Sequence, residues 1–306
     1  VAGCAALLAT LLVLERVSRG GRRFHETSLR RQGAPRLVLQ GVAAALAMAG
    51  CALPLVLGFV LPAGRMAQLA LAEPDLSALA HGFGRLALNS ITVAGCAALL
   101  ATLLALVIGY AARVHAGSAV RVAHRVASLG YAVPGAVIAV GVLIPVTRLD
   151  HAVAALLRDG FGWQVPLLLT GSIAALVYAC VARYLAAAQN AVDSGLSRIT
   201  PSMDQAARSL GLRPVQVLTR VHLPLLRGSA LTATLLVFID VMKELPATLV
   251  MRPFNFDTLA TRVYTLASDE RLAEASLPAL AIVLVGLLPV VLLSRQIARE
   301  RAPSGA

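Results

Sequence analysis

Six long apolar runs constrain this chain more than any other feature. A helix of roughly 20 apolar residues crosses the hydrocarbon of a bilayer, whereas a lone strand there would leave backbone groups unpaired. The sequence therefore predicts an all-α integral membrane protein with six complete transmembrane helices. Their expected bounds are about Leu37–Leu61, Leu88–Ala112, Val126–Val146, Val165–Ala188, Leu225–Val250 and Leu277–Ser294. Val1–Leu14 is interpreted as the end of a truncated seventh helix, as expected for a fragment.

Composition agrees with a membrane protein. Of the 306 residues, 58% are hydrophobic and 14% are charged, whereas soluble domains average about 45–50% and 25%. In a soluble protein, the net charge of +12 would suggest a nucleic-acid partner. Aromatic residues make up only 4% and are not interleaved with basic runs, so we expect no such partner.

The distribution of arginine predicts the orientation. Two sets of connecting segments alternate along the chain, one with 19 arginines and 5 acidic residues, the other with 7 and 8. The positive-inside rule places the first set in the cytoplasm, together with both ends of the six-span unit, in the cell inner membrane. The first set is Glu15–Arg36, Arg113–Arg125, Arg183–Arg227 and Arg295–Ala306, and the second is Pro62–Ala87, Thr147–Gln164 and Met251–Ser276.

The longest predicted cytoplasmic loop has the features of two short helices joined by a turn. They are a helix cap, a proline at the first helical position, an acidic residue in the first turn, a left-handed stop and a second opening proline. These are Thr200, Pro201, Asp204, Gly211 and Pro214. One apolar face is expected from Met203, Ala206, Ala207 and Leu210. This face could dock on a partner protein, or the loop could lie on lipid headgroups through its arginines.

The same loop carries a spaced motif. It reads Gln205-Ala206-Ala207, three residues, Gly211, nine residues, then Val221-x-Leu223-Pro224. This resembles the EAA signature of binding-protein-dependent ABC transporter permeases, E-A-A-x3-G-x9-I-x-L-P. Two positions depart from it, Gln205 in place of glutamate and Val221 in place of isoleucine, although Asp204 adjoins the first.

The resemblance implies an organisation and a set of partners. It implies a type I permease core at 86–295 with a coupling loop at 190–224, after a first complete helix at 37–62. Residues 1–36 would be the end of a preceding helix with a basic linker, and 296–306 a cytoplasmic tail. The implied partners are a cytoplasmic ABC ATPase dimer, a periplasmic substrate-binding protein, a second permease half, fused or homologous, and membrane lipid.

The chain itself is predicted to be a transport subunit and not an enzyme. It has no P-loop motif, G-x-x-x-x-G-K-[ST], so ATP and magnesium would be bound by the ATPase, and no cofactor is expected here. No predicted span carries paired catalytic carboxylates, an H-E-x-x-H motif or a Ser/His set, and the histidines and cysteines lack the spacing of metal ligands, so no catalytic or metal site is expected.

The cargo is predicted from a narrower resemblance. The stretch from Asp240 to Arg295 and the linker LERVSRGGRRFH resemble the ferric-iron branch of these permeases, often built as two homologous six-span halves. Polyamine, sulfate or thiamine remain alternative cargoes. The twelve residues VAGCAALLATLL occur twice, at Val1–Leu12 and Val93–Leu104, without a favoured explanation.

Three ionisable residues lie in the predicted fifth span, toward its periplasmic end. Asp240, Lys243 and Glu244 could line the translocation path or its gate, or could form a structural ion pair near the interface. They also allow a rival function, a secondary transporter coupled to an ion gradient. A docking loop argues against that rival, which has no ATPase to bind.

Overall fold

The computed structural model describes residues 39–72, 82–114, 117–163 and 166–301, and every regular element in these ranges is helical. The elements are α1 Gly41–Leu55, a π-helical turn Val56–Val60, α2 Leu61–Ala72, α3 Phe83–Val114, α4 Ser118–Ala127, a 3-10 turn Gly130–Ala132, α5 Gly135–Phe161, α6 Ile173–Leu196, α7 Pro201–Ser209, α8 Pro214–Val217, a π-helical turn Leu218–His222, α9 Leu223–Leu225, α10 Arg227–Met242, α11 Pro246–Met251, α12 Leu259–Ser268 and α13 Leu272–Arg301. The predicted truncated helix, the basic linker and the first copy of the repeat lie outside the described residues. From Leu55 onward the chain forms one compact unit, which holds the features below.

The described residues contain four helices long and apolar enough to span a membrane. They are Gly41–Ala72, Phe83–Val114, Gly135–Phe161 and Leu272–Leu292. A fifth candidate is the pair Pro214–Leu225 and Arg227–Met242, bent by 74°. The all-helical, membrane-spanning class is therefore confirmed, while the count of six spans stays a prediction. Helix α6 is not among the candidates, and it carries Arg183 and Asp193.

Small residues form the core of the compact unit. Helices α3, α6 and α10 pack against one another. On α3 the buried face is a row of alanines with no exposed surface, and α10 contributes Ala233 and Val237. Small side chains let helix backbones approach closely, which is how helices associate in lipid without a hydrophobic driving force. The alanines of α3 are Ala94, Ala97, Ala98, Ala101 and Ala105.

Two of the predicted spans are displaced along the chain. The run Val126–Val146 was expected to be one helix, but α4 ends at Ala127 and α5 begins only at Gly135. Pro134 explains the break, because the residue before a proline is pushed away from helical angles. The run Val165–Ala188 was also wrong at its start, since α6 begins at Ile173.

The predicted fifth span, Leu225–Val250, is broken in the structure. Helix α10 ends at Met242, and α11 begins at Pro246. Proline lacks an N–H and disfavours helix in the residue before it, so the chain cannot continue as one helix through Leu245. The three ionisable residues predicted within a span therefore lie at its end and in this break. The predicted runs Leu88–Ala112 and Leu277–Ser294 are confirmed as helices with longer bounds, in Phe83–Val114 and Leu272–Arg301. The predicted run Leu37–Leu61 overlaps the helical stretch Gly41–Ala72, which begins later and extends further than predicted.

A buried carboxylate holds the chain segment before α6. Asp150 on α5 is buried, and its oxygens accept the backbone N–H groups of Leu168 at 3.2 Å and Leu169 at 2.9 Å. Ser172 then caps α6, because its hydroxyl accepts the N–H of Ala175 at 3.3 Å. Asp150 thus replaces backbone partners that a non-helical segment lacks.

Gly130 fixes the approach of the 3-10 turn to α6, and we predict that Gly130→Ala destabilises the fold. A Cβ at Gly130 would collide with the backbone carbonyl oxygen of Ala182, which cannot move without shifting α6. Overpacking of this kind costs about 1–3 kcal/mol, so the thermal midpoint in detergent should fall. Gly141→Ala on α5 is the matched control, because a Cβ there meets nothing within 4 Å. Equal midpoints for the two variants would contradict the prediction.

Candidate functional site

The predicted helix–turn–helix is present, and Gly211 ends its first helix. Gly211 has a φ of 79°, in the left-handed region that favours glycine. Its N–H donates to the Arg208 carbonyl at 2.9 Å, and the Leu212 N–H donates to the Ala207 carbonyl at 3.2 Å. This pair of bonds is a Schellman motif, which satisfies the last carbonyls of a helix. The predicted left-handed stop is therefore confirmed.

The starts of the two short helices differ in how they are capped. Pro201 opens α7 as predicted, but the predicted Thr200 cap is wrong, because the hydroxyl of Thr200 bonds that of Ser202 at 2.9 Å and caps no backbone N–H. Pro214 opens α8, and the Arg213 N–H donates to the Gln216 side chain at 2.9 Å. A π-helical turn and α9 then complete the link to α10.

The apolar face of α7 is mostly uncovered. Of its four predicted residues only Ala207 is buried; Met203 and Ala206 are exposed, and Leu210 is 82% exposed. Val215, on the other side of the turn, is 70% exposed. The turn therefore presents large aliphatic side chains to its surroundings on an ordered backbone, the arrangement of a docking surface.

Asp204 ties this loop to the rest of the unit. Its Oδ2 accepts the Nε–H of Arg113 at 2.7 Å, and its Oδ1 lies 2.6 Å from Nε2 of His222. Arg113, near the end of α3, also donates to the carbonyls of Leu196 at 2.8 Å and Ile199 at 2.7 Å. One guanidinium thus joins the ends of α3 and α6 to the first turn of α7.

His222 lies on the buried side of the loop. It has no exposed surface, and the ring of Tyr110 packs edge-on against it with centroids 5.2 Å apart. The Tyr110 hydroxyl donates to the Pro214 carbonyl at 2.6 Å. Nδ1 of His222 has no hydrogen-bond partner within the described part of the chain. Both halves of the loop are therefore held by α3, through Tyr110 and Arg113, one helical turn apart.

The ion pairs of Asp204 make its charge part of the fold. Partial burial raises the pKa of its carboxyl, but hydrogen bonds from Arg113 and His222 and their charges lower it more, so the net pKa lies below the ordinary value. A depressed folded-state pKa means that the stabilisation is complete above the ordinary carboxyl value of about 3.9. It is lost as the pH falls through the depressed value.

The break between α10 and α11 holds a second cluster. Lys243 and Asp240 pair at 2.9 Å, as the sequence allowed. Glu244 is buried and pairs instead with Arg183 of α6, at 2.8 Å and 3.0 Å from its two oxygens. It also accepts the Tyr184 hydroxyl and, at 3.1 Å, the N–H of Ala247, which caps α11. The break is therefore fixed to α6 by an ion pair between a buried carboxylate and a partly buried guanidinium.

The structure separates the motif residues by role. Gln205, Leu223 and Pro224 are exposed and Val221 is half-buried. The sequence missed Arg113, His222 and Tyr110, which make the contacts that hold the loop. A pair spaced i, i+3 at the end of a predicted span, Tyr110 and Arg113, was the available signal.

Within the described ranges, no three His, Cys, Asp or Glu side chains are grouped to hold a metal ion.

Comparison with known proteins finds similarity to transport permeases, and the chain spans less than half the length of the first of these relatives. No protein-family model matches the chain. It is 30% identical over 207 residues to the Fe(3+)-transport system permease protein FbpB 2 of Haemophilus influenzae, covering 68% of this chain and 38% of that one. It is 26% identical over 208 residues to a putative 2-aminoethylphosphonate transport system permease protein, PhnV, of Salmonella typhimurium, covering 68% of this chain and 72% of that one.

Solved structures agree on the fold. A bacterial ABC transporter involved in the import of the acidic polysaccharide alginate superposes with a TM-score of 0.60 at 15% identity, covering 85% of this chain and 96% of that one. The same kind of transporter, in complex with an alginate pentasaccharide-bound periplasmic protein, gives 0.59 at 16% identity, with 86% and 96% covered. The predicted resemblance is confirmed: the chain is similar in sequence to permease proteins of two transport systems, and it shares the fold of chains of the alginate ABC transporter.

Asp204→Ala should loosen the loop locally. It leaves Arg113 and buried His222 without their shared acceptor, a loss of about 1–3 kcal/mol for partners of this kind. Amide hydrogen exchange across 201–222 should therefore accelerate roughly ten- to hundredfold, because about 1.4 kcal/mol is a factor of ten.

Glu274→Ala is the control for this variant. It removes a carboxylate from an ion pair whose partner, Arg271, is more than half exposed, and exposed pairs contribute about 0–1 kcal/mol. Unchanged exchange over 201–222 in Asp204→Ala would show that the network does not hold the loop.

Proposed function

We propose that this chain is a transmembrane permease subunit of an ATP-driven ABC importer, and that residues 201–224 dock on its ATPase. The observation that carries the proposal is an ordered loop with exposed aliphatic side chains, Leu210 and Val215, around a glycine stop. A connector between two spans needs neither the Schellman motif nor the anchoring network. The spacing of Gln205, Ala206, Ala207, Gly211, Val221, Leu223 and Pro224 supports the same role.

The anchoring network suggests how docking moves the permease. Closure of an ATPase dimer around ATP would displace α7. Because Arg113 binds both Asp204 and the carbonyls at the end of α6, α7 would carry α3 and α6 with it. These two helices are packed with α10, whose far end holds the Glu244–Arg183 pair. Movement at the loop would thereby reach the break between α10 and α11. The path beside the break would then open alternately to the two sides of the membrane.

The orientation proposed from arginine distribution suits this mechanism. With the segment 183–227 in the cytoplasm, the loop faces the compartment that contains the ATPase, and both ends of the six-span unit are cytoplasmic in the cell inner membrane. ATP and magnesium are then bound by the ATPase. A periplasmic binding protein would meet the opposite side. The sequence offers two segments as contacts there, Arg252–Glu274 and Glu73–Asn89, of which the second could equally be a plain connector. A second permease half, fused or homologous, and membrane lipid complete the assembly.

Ferric iron is the proposed cargo. The similarity to the iron-transport permease supports it, and no side chain of this chain has to bind the metal, because the binding protein supplies specificity. The second candidate is an organophosphonate, favoured by the similarity to the 2-aminoethylphosphonate permease. Polyamine, sulfate and thiamine stay alternatives.

The cargo is tested by reconstituting the permease with its cognate ATPase and binding protein in vesicles. ATP-dependent uptake of ferric iron is expected. Uptake of 2-aminoethylphosphonate, polyamine, sulfate or thiamine in place of iron would overturn the assignment of the cargo, while the assignment as an ABC importer would stand. Uptake driven by an ion gradient without ATPase would replace the importer by a secondary transporter.

We propose that Asp240, Lys243 and Glu244 lie on the translocation path or at its periplasmic gate. Their position at the end of α10 and in the helix break supports this, since irregular backbone at membrane depth usually lines a cavity or is buried in protein. Lys243 is the chain's only lysine and is 61% exposed. A membrane-impermeant amine reagent added outside sealed vesicles should label it to an extent that changes with ATP. Labelling that is absent in every nucleotide state would reject the gate.

Leu210→Asp should weaken ATPase binding. Burying a leucine at an interface contributes about 1.5–3 kcal/mol, so affinity should fall roughly ten- to hundredfold. Binding of the detergent-solubilised permease to immobilised ATPase measures this directly. Leu210→Met is the matched control and should bind normally, because it keeps the apolar volume. Equal affinity of both variants would show that Leu210, at the end of α7, does not contact the ATPase.

A further inference from the structure

A second exposed apolar face occurs on α4, outside the proposed coupling loop. Val122 and Val126 on α4, and Leu129 in the turn that directly follows it, are spaced i, i+4, i+7, and each is about 60% exposed. On a helix this spacing forms one narrow stripe. Nothing in the proposed coupling to the ATPase uses it. An uncovered aliphatic stripe of this kind needs an apolar environment.

The other side of α4 is attached to the unit, which fixes the direction of the stripe. Nε2 of His124 lies 2.9 Å from Oδ2 of Asp193 on α6, and the side-chain amide of Gln189 donates to the His124 carbonyl at 3.3 Å. Val120 and Ala127, on the same side as His124, are only partly exposed. The helix therefore cannot roll to bury its valines against α6.

Charge beside the stripe indicates what covers it. Arg125, which directly precedes Val126 in the sequence, is exposed. Helix α4 also joins two candidate membrane spans, since α3 ends at Val114 and α5 begins at Gly135. A helix held between two span ends, with an aliphatic stripe bordered by arginine, has the composition of helices that lie in the interfacial layer of a bilayer.

We infer that α4 is an interfacial helix that binds anionic phospholipid. The stripe Val122, Val126 and Leu129 enters the acyl-chain boundary, and Arg125 pairs with a lipid phosphate. Arginine at an anionic membrane surface contributes about a fivefold preference per side chain. The His124–Asp193 contact transmits the position of the membrane surface to α6, the helix whose end is held by Arg113.

Fluorescence quenching tests the inference on the full chain, without ATPase or cargo. Trp163 is the only tryptophan, so Val126→Trp in a Trp163→Phe background reports on the stripe alone. The protein is reconstituted in phosphatidylcholine containing a minor fraction of brominated phosphatidylglycerol or of brominated phosphatidylcholine. We expect quenching by both, stronger with phosphatidylglycerol. Arg125→Gln should reduce that preference about fivefold, while Arg158→Gln, near the far end of α5, should leave it unchanged.

Each other outcome overturns the inference in a distinct way. The absence of quenching by both lipids would show that the stripe does not lie in the bilayer. Equal quenching by both lipids, unaffected by Arg125→Gln, would reject anionic headgroup binding. Quenching that disappears as protein density rises would assign the stripe to a second copy of this chain. Val122→Trp is the second probe if Val126→Trp does not elute as a monodisperse protein.

Discussion

The contact between Asp204, Arg113 and His222 determines whether the exposed loop is an ordered element or a flexible connector. Helix α7 is only nine residues long, and a helix of that length is not stable alone in water. It therefore depends on this contact. The carboxylate binds a guanidinium that also caps α6, and a histidine with no exposed surface. Removal of any one member leaves at least one buried or half-buried polar atom without its hydrogen-bond partner, which is the costly case for hydrogen bonds.

In the proposed mechanism, the three-helix core would transmit movement of the loop to the rest of the compact unit. Helices α3, α6 and α10 meet through alanines, so their backbones approach closely and shift together more easily than they deform. Two charged residues of α6 bind side chains outside it: Arg183 pairs with Glu244, and Asp193 contacts His124. Helix α6 would therefore connect the loop to the helix break in the proposed coupling.

Sequence alone predicted the parts governed by local rules. The apolar runs, the N1 prolines and the glycine stop follow from helix length, proline geometry and the left-handed conformation, and the structure has them. It failed where tertiary contacts decide. Thr200 makes a side-chain bond in place of a cap, α6 starts late because Asp150 holds the segment before it, and α10 stops at Met242. Arg113 and Glu244 could not be paired with Asp204 and Arg183, because those partners are 91 and 61 residues apart in sequence.

The most direct test is the coupling of transport to ATP hydrolysis in a Gly211→Val permease, reconstituted with its ATPase and binding protein. A left-handed, β-branched residue is strained by about 1–2 kcal/mol or more, although the space around Gly211 is open, so only the shape of the turn changes. Gly117→Val is the control, since its φ of −63° is ordinary and its surroundings are equally open. The account predicts that Gly211→Val inserts normally but loses cargo uptake per ATP hydrolysed, while Gly117→Val transports as the parent does. Normal coupling in Gly211→Val would contradict it.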